Sequence, residues 1–164
     1  MGSMRVDCSI SIPHPYSEPQ AREWITSNAG PGAQGKTVVF GMHLKREGTL
    51  AGTIGLREID AEHAQAELGF WVAVDCWRQG YATEAARAVT NFGFEQLGLN
   101  RIYAHHMVRN PASGRVLAKI GMKREGLLRQ RVRKWGVFED VVLMALLRGD
   151  LAQCSPNRTS PGPW

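Results

Sequence analysis

A chain of 164 residues, 43% of them hydrophobic, holds enough apolar material for the core of one domain without calling on disulfides or metals. No apolar run reaches the roughly 18 residues of a membrane-spanning helix and the first dozen residues lack a secretory layout, so a soluble, cytoplasmic protein with no membrane partner is expected. The net charge of +5 is modest but unevenly placed, because residues 101–135 carry ten Lys or Arg against one acid, Glu125; such a stretch suits an anionic partner or a plain solvated face.

Met1 to Ser3 read as a cloning remnant, residues 4–150 as one domain, and residues 151–164, rich in Pro, Ser and Gly, as a flexible tail. Val6, Cys8, Ile10 and Ile12 alternate with polar residues, the period of a half-buried strand, which Pro13 and Pro15 end. Ser17 with Gln20 three residues on has the form of a capping box, predicting a helix through Ala21, Trp24 and Ile25. Thr37 to Leu44 and Leu50 to Ile59 flank Lys45-Arg46-Glu47-Gly48 as a β-hairpin, and Ala66 to Val74 has the composition of a third antiparallel strand.

Residues 83–97 place Ala85, Ala86, Val89 and Phe92 at helical spacing, with Gly98 where a C-terminal cap belongs. Ile102 to Val108 reads as a strand, Ala112 to Ile120 as a short helix ended by Gly121, and Glu139 to Leu147 as a last apolar strand. The strands before and after the long helix can run parallel only through such a crossover, so the expected fold is α/β: a mixed, mostly antiparallel central sheet with helices on both faces. Trp71, Trp77, Phe92 and Phe94 are expected in the core, as is Cys76. Cys8, Cys76 and Cys154 form no CxxC pair, and no metal site is indicated.

The first feature with chemistry is the loop Arg78-Gln79-Gly80-Tyr81-Ala82-Thr83 at the start of the long helix. Amides at a helix N-terminus have no intrahelical acceptor and the helix dipole adds positive charge, so the turn favours phosphate; Gly80 admits close approach and Arg78 adds charge. A tight strand-to-helix turn uses glycine for its own reasons, so the loop alone leaves both readings open. It is no Walker loop, which needs a Lys after its last glycine, and no dinucleotide fingerprint, which needs three spaced glycines.

Ala66-Glu67-Leu68-Gly69-Phe70-Trp71-Val72, Trp77-Arg78-Gln79-Gly80-Tyr81-Ala82-Thr83-Glu84-Ala85, Asn110-Pro111-Ala112-Ser113, Lys119-Ile120-Gly121-Met122 and Glu125-Gly126 occur in that order. In this the chain resembles the Gcn5-related N-acetyltransferases (GNAT), within them the RimJ/RimL branch that acetylates ribosomal-protein N-termini. The resemblance spans about residues 13–148.

It implies an acyl-CoA N-acyltransferase fold in which the strand ending near Val74 splays from the strand ending near Val108. Acetyl-CoA would serve as co-substrate, its pyrophosphate on Arg78, Gln79, Gly80, Tyr81, Ala82 and Thr83, and its pantetheine arm along Trp71, Val72, Ala73 and Val74 with Asn110 and Ser113 in contact. A backbone amide near Trp71 to Ala73 would stabilise the oxyanion while an amine attacks the thioester directly, without a covalent enzyme intermediate. The acceptor implied is a primary amine, either a protein N-terminus, possible in a ribosomal protein, or a small molecule.

For the general base the reading names Glu67, which shares a strand face with Gly69 and Trp71; the alternative is that Glu67 only orients a loop or pairs with Arg101 or Arg109. For the acid that protonates the thiolate, Ser113 stands where the branch places a serine; Ser113 or Asn110 can equally cap the 112–120 helix. His105 and His106, adjacent on a strand, point to opposite faces, so they form no joint metal pair; each reads first as a surface or satisfied core histidine, with one facing the acceptor pocket as an alternative base. Relatives open with a strand and a long helix before the segment matching Pro15-Tyr16-Ser17, so the fold is expected to be N-terminally shortened, with the acceptor wall completed by the Val6 to Ile12 strand or by a partner such as a second copy in a homodimer. Two other functions stay open: an acyl-CoA-binding module without turnover, and a ribosome- or RNA-associated domain using Arg129, Arg131, Arg133, Lys134 and Trp135, a stretch that alternating charges on an exposed hairpin explain equally.

Overall fold

The computed structural model of the protein describes residues 35–152. The expected Val6 to Ile12 strand, the Ser17 helix, Cys8, Cys154 and the tail from 153 onward lie outside the described residues.

Six strands form one sheet in the order β1-β2-β3-β4-β6-β5: β1 Val38–His43, β2 Leu50–Asp60, β3 Gln65–Val72, β4 Arg101–Met107, β5 Lys123–Lys134 and β6 Val137–Leu147. The helices are α1 Tyr81–Glu95, α2 Pro111–Lys119 and a short α3 Arg148–Ala152, with a 3-10 turn at Val74–Cys76. β1 to β3 are the expected antiparallel meander, and β3 runs parallel to β4 through the α1 crossover. Gly98 and Gly121, at φ 68° and 94°, end the two helices in a conformation that glycine adopts without strain.

The core lies between the sheet and α1 and α2. Ile54, Leu56, Ala66, Leu68, Ile102, Ala104, Val142, Met144 and Leu146 present one face of four strands to Ala86, Val89 and Phe94 of α1 and its end and to Leu117 of α2. Strand alternation then puts Arg57, Glu67, Tyr103, His105 and Met107 on the opposite face. Both longer helices of the described residues share the first face, because their apolar stripes meet the same even-numbered rows.

β5 was not placed in the expected element order, but the exposed hairpin offered as one reading of Arg129 to Trp135 is what β5 and β6 form. Its twelve residues pair with β6, with irregularities between Arg124 and Gly126 and between Leu128 and Val132. It is an exposed edge whose charges alternate with few apolar residues, so the period that marks a half-buried strand is missing. Two of the core expectations, Trp77 and Cys76, also need correction. Phe94 is buried and Trp71 and Phe92 half-buried, but Trp77 is 43% exposed, and Cys76 is half-buried rather than core. Trp77 stays near the surface because its indole Nε1 donates to the Val72 carbonyl at 2.8 Å, tying the turn to the end of β3.

Candidate active site

The parallel ladder between β3 and β4 is three residues long, Gln65 with Arg101, Ala66 with Ile102 and Glu67 with Tyr103. Both strands continue beyond it, β3 to Val72 and β4 to Met107, and there each pairs only on its outer side, β3 with β2 and β4 with β6. The sheet therefore forks after Glu67. The Ala73 amide donates to the Ala51 carbonyl on β2 at 2.8 Å. Successive residues turn their amides to alternate edges, so Trp71 also faces β2, whereas Leu68, Phe70 and Val72 face the fork. Of the amides near Trp71 to Ala73, where an oxyanion donor was expected, only Val72's faces the fork; those of Trp71 and Ala73 point toward β2.

Past the fork the chain turns through Val74–Cys76 into the 78–83 loop. Gly80, at φ 88° and ψ −10°, occupies the N-cap of α1 without any side-chain cap. Arg78 also lies at positive φ, 62°. The Thr83 and Glu84 amides both close onto the Gly80 carbonyl, leaving the amides of Tyr81 and Ala82 as the outward donors of the first turn. Gln79 bridges the loop, donating to the Asp75 carbonyl at 3.0 Å and accepting from the Tyr81 hydroxyl at 2.9 Å. A Cβ built on Gly80 meets nothing within 4 Å, so the space above the turn is open. A braced turn with uncapped amides, a positive dipole end and free space fits a pyrophosphate.

On the β4 side, Asn110 caps α2: its Oδ1 accepts from the Ser113 amide at 3.2 Å, with Pro111 at the first helical position. Asn110 is buried and Ser113 half-buried. The capping alternative thus holds for Asn110, and Ser113 is the third residue of the helix, its hydroxyl carried on the first turn. His106 faces α2, its ring so close that a Cβ at Gly114 would lie 2.7 Å from Nε2.

Glu67 sits at the fork itself, 6% exposed. Its carboxylate receives two bonds from Arg57, Nε and Nη2 each at 2.9 Å, and faces His105 Nδ1 at 3.0 Å. Burial pushes the Glu67 carboxyl upward, but the bonds from His105 and Arg57 and the Arg57 charge outweigh it and hold the group below the ordinary carboxylate range. The expected partners were Arg101 and Arg109, yet these pair elsewhere, Arg101 with Glu125 and Arg109 with Glu139 at 2.8 Å. Arg57 stands directly opposite Glu67 in the β2–β3 register, and that register is what brings the two together.

Arg57 escaped the sequence reading, as did the neighbouring pair Tyr103 and Glu58. The Tyr103 hydroxyl donates to Glu58 Oε2 at 3.0 Å. Burial, then that carboxylate, push the Tyr103 phenol up to about 12. The only signal available in sequence was a lone Arg at the end of an otherwise apolar run. The basic stretch is partly spent on internal contacts, with Arg109 stacked over Trp135 at 4.8 Å and Arg133 over Phe138 at 5.5 Å. Among the described residues no helix is long and apolar enough to cross a membrane.

A forked β3–β4 pair opening onto an uncapped glycine turn agrees with the family comparison: residues 3–123 match the model of the acetyltransferase (GNAT) domain. The chain belongs to the GNAT acetyltransferase family. YoaA of Bacillus subtilis, an uncharacterized N-acetyltransferase, is 33% identical over 129 residues, 79% of this chain and 73% of YoaA. The structure of Mycobacterium smegmatis RimJ in complex with CoA-disulfide superposes with a TM-score of 0.75 at 25% identity, covering 81% of this chain and 63% of RimJ. Spermidine N-acetyltransferase from Vibrio cholerae, solved with CoA and spermine, shares the fold with a TM-score of 0.74 at 24% identity, over 85% of this chain and 80% of its own. This GNAT chain is an acetyl-CoA-dependent N-acetyltransferase, transferring acetyl to an amine.

Proposed function

We propose that acetyl-CoA lies across the fork, its pyrophosphate on the 78–83 turn and its pantetheine arm along the Phe70 to Val74 edge, and that a primary amine attacks the thioester directly in a ternary complex. The observation that carries this reading is the continuity of the two features. The edge that β4 abandons after Glu67 leads through Val72 straight into the turn whose amides lack acceptors. An unpaired strand edge is a natural template for an extended ligand, which adds to the sheet as a further strand.

In this arrangement the Val72 amide faces the carbonyl oxygen and stabilises its developing charge. Val72's own carbonyl is already engaged by Trp77, which steadies the donor. Arg78 adds charge beside the phosphates, Asn110 holds the start of α2 in place, and Ser113 supplies a hydroxyl for the departing sulfur. Most of the acceleration comes from holding amine and thioester together, which is worth about 7–11 kcal/mol in well-oriented cases. The RimJ likeness favours a protein N-terminal amine as acceptor, and a small polyamine is the other amine to assay. A second copy of the chain could complete the acceptor wall.

Gly80→Trp fills the open space over the turn and forces a bulky residue into positive φ. Calorimetry should show acetyl-CoA affinity at least about tenfold weaker, a loss of about 1.4 kcal/mol, while a thiol-release assay over peptides and amines identifies the acceptor. Unchanged affinity in Gly80→Trp would refute the placement of the cofactor. Saturable binding with no thiol release from any amine would reduce the protein to a binding module.

A further inference from the structure

We infer that His105, not Glu67, is the base that takes the proton from the acceptor amine, with Glu67 and Arg57 holding it in place; the inference rests on the acetyl-transfer reading above. His105 is two residues beyond Tyr103, the last residue of β4 paired with β3, and on the same sheet face as Glu67, so their contact spans the point where the two strands part. The Glu67 carboxylate is already engaged on both oxygens, by Arg57 on each and His105 on one, and its side chain is 8% exposed against 20% for His105. The imidazole is the more accessible member of the pair.

An ionised carboxylate only accepts hydrogen bonds, so Nδ1 of His105 carries the proton toward Glu67 and the lone pair of the neutral ring resides on Nε2. That is the division of labour in which a buried carboxylate orients a histidine and the histidine does the proton transfer. The groups facing the ring are Glu67 from β3, Arg57 beyond it on β2, and Tyr103 on its own strand at 5.7 Å, with Glu58 on the Tyr103 hydroxyl. From β6 the register partner is the apolar Leu143. His106, turned to the other face against Gly114, is the histidine that the geometry sets aside.

The step balances as follows. Of the two protons that the acceptor ammonium loses, one passes to Nε2 of His105 and on to solvent. The freed nitrogen lone pair forms the bond to the thioester carbonyl carbon. The carbon–sulfur bond breaks with its electron pair on sulfur, and the second proton from nitrogen ends on that sulfur, giving amide and free CoA thiol.

The test uses the full chain, acetyl-CoA and the best amine from the acceptor screen. His105→Gln keeps a donor for Glu67 and leaves the Arg57 pair intact, so it should melt with the native protein and bind acetyl-CoA with native affinity. Its kcat should fall by about 10² to 10³-fold, and the acid limb of the native kcat/KM profile should flatten. Added imidazole should restore part of the activity of His105→Ala. A kcat within about threefold of native, well short of the effect of losing a base, overturns the assignment. So does a large loss that leaves the acid limb in place and is not rescued by imidazole, which would make His105 merely structural. Absence of turnover by the native protein with every amine sinks the acetyl-transfer reading and this assignment with it, whereas native turnover with an unimpaired His105→Gln sinks this assignment alone.

Discussion

Replacing Glu67 with Gln deletes one negative charge from the fork while keeping the shape and one acceptor oxygen. The Arg57 guanidinium then loses two charge-assisted bonds of 2.9 Å, and His105 loses the anion that orients it. Breaking a fully buried pair costs about 3–5 kcal/mol. The Arg57 side chain is 36% exposed and can turn toward water, which lowers the expected cost to about 1–3 kcal/mol. In a domain of this size each kcal/mol moves Tm by about 2–4 °C, so the variant should melt about 2–12 °C below native at pH 7. Folding holds the Glu67 carboxyl below its ordinary value of 4.5, so the stability it contributes is present above that value and is lost as pH falls through the lower, folded one. Glu67→Gln lacks the titrating group, and the gap in Tm between native and variant should close as the solution is acidified below about 4.5. Calorimetric melts across that range test both statements. A gap under about 1 °C at neutral pH, or one that stays constant into strong acid, would refute the reasoning.

Asn110→Ala removes the cap of α2 at a buried position and should cost about 1 kcal/mol, read as a Tm lower by about 2–4 °C, with the Ser113 amide exchanging faster in hydrogen-exchange experiments. Gly114→Val forces a branched side chain into the space of the His106 ring, where even a Cβ lies 2.7 Å from Nε2. A loss of about 2 kcal/mol in a denaturant titration is expected, and native-like stability would show that the ring moves aside freely.

Much of the fold was legible because it is written in local periods. The β1–β2 hairpin, α1 with Gly98 behind it, α2 between Pro111 and Gly121, and β6 all appear within a few residues of their expected bounds. β5 did not, since an exposed edge strand with bulges carries no apolar alternation. The turn proposed to hold the cofactor was readable as a turn from order and spacing: a glycine at the mouth of a helix, preceded by the β3 motif and followed by Asn110-Pro111-Ala112-Ser113. The base was not. Glu67 stood out as a carboxylate on a strand, and its partners were sought at Arg101 and Arg109, which turned out to be paired with Glu125 and Glu139.

The sequence by itself determined the membership, the crossover that makes β3 and β4 parallel, and the glycine turn at the start of α1, because these rest on local motifs and on their order along the chain. Which amides face the fork, and which charges meet there, only the tertiary structure decided. A one-residue shift of register between β2 and β3 would turn Arg57 to the helix side and leave Glu67 buried without its ion partner. The parallel pairing of β3 with β4 for three residues and no more brings His105 to Glu67 across 38 positions of chain. Contacts of that kind are set by the packing of α1 and α2 against one face of the sheet, and no local period in the sequence reports them.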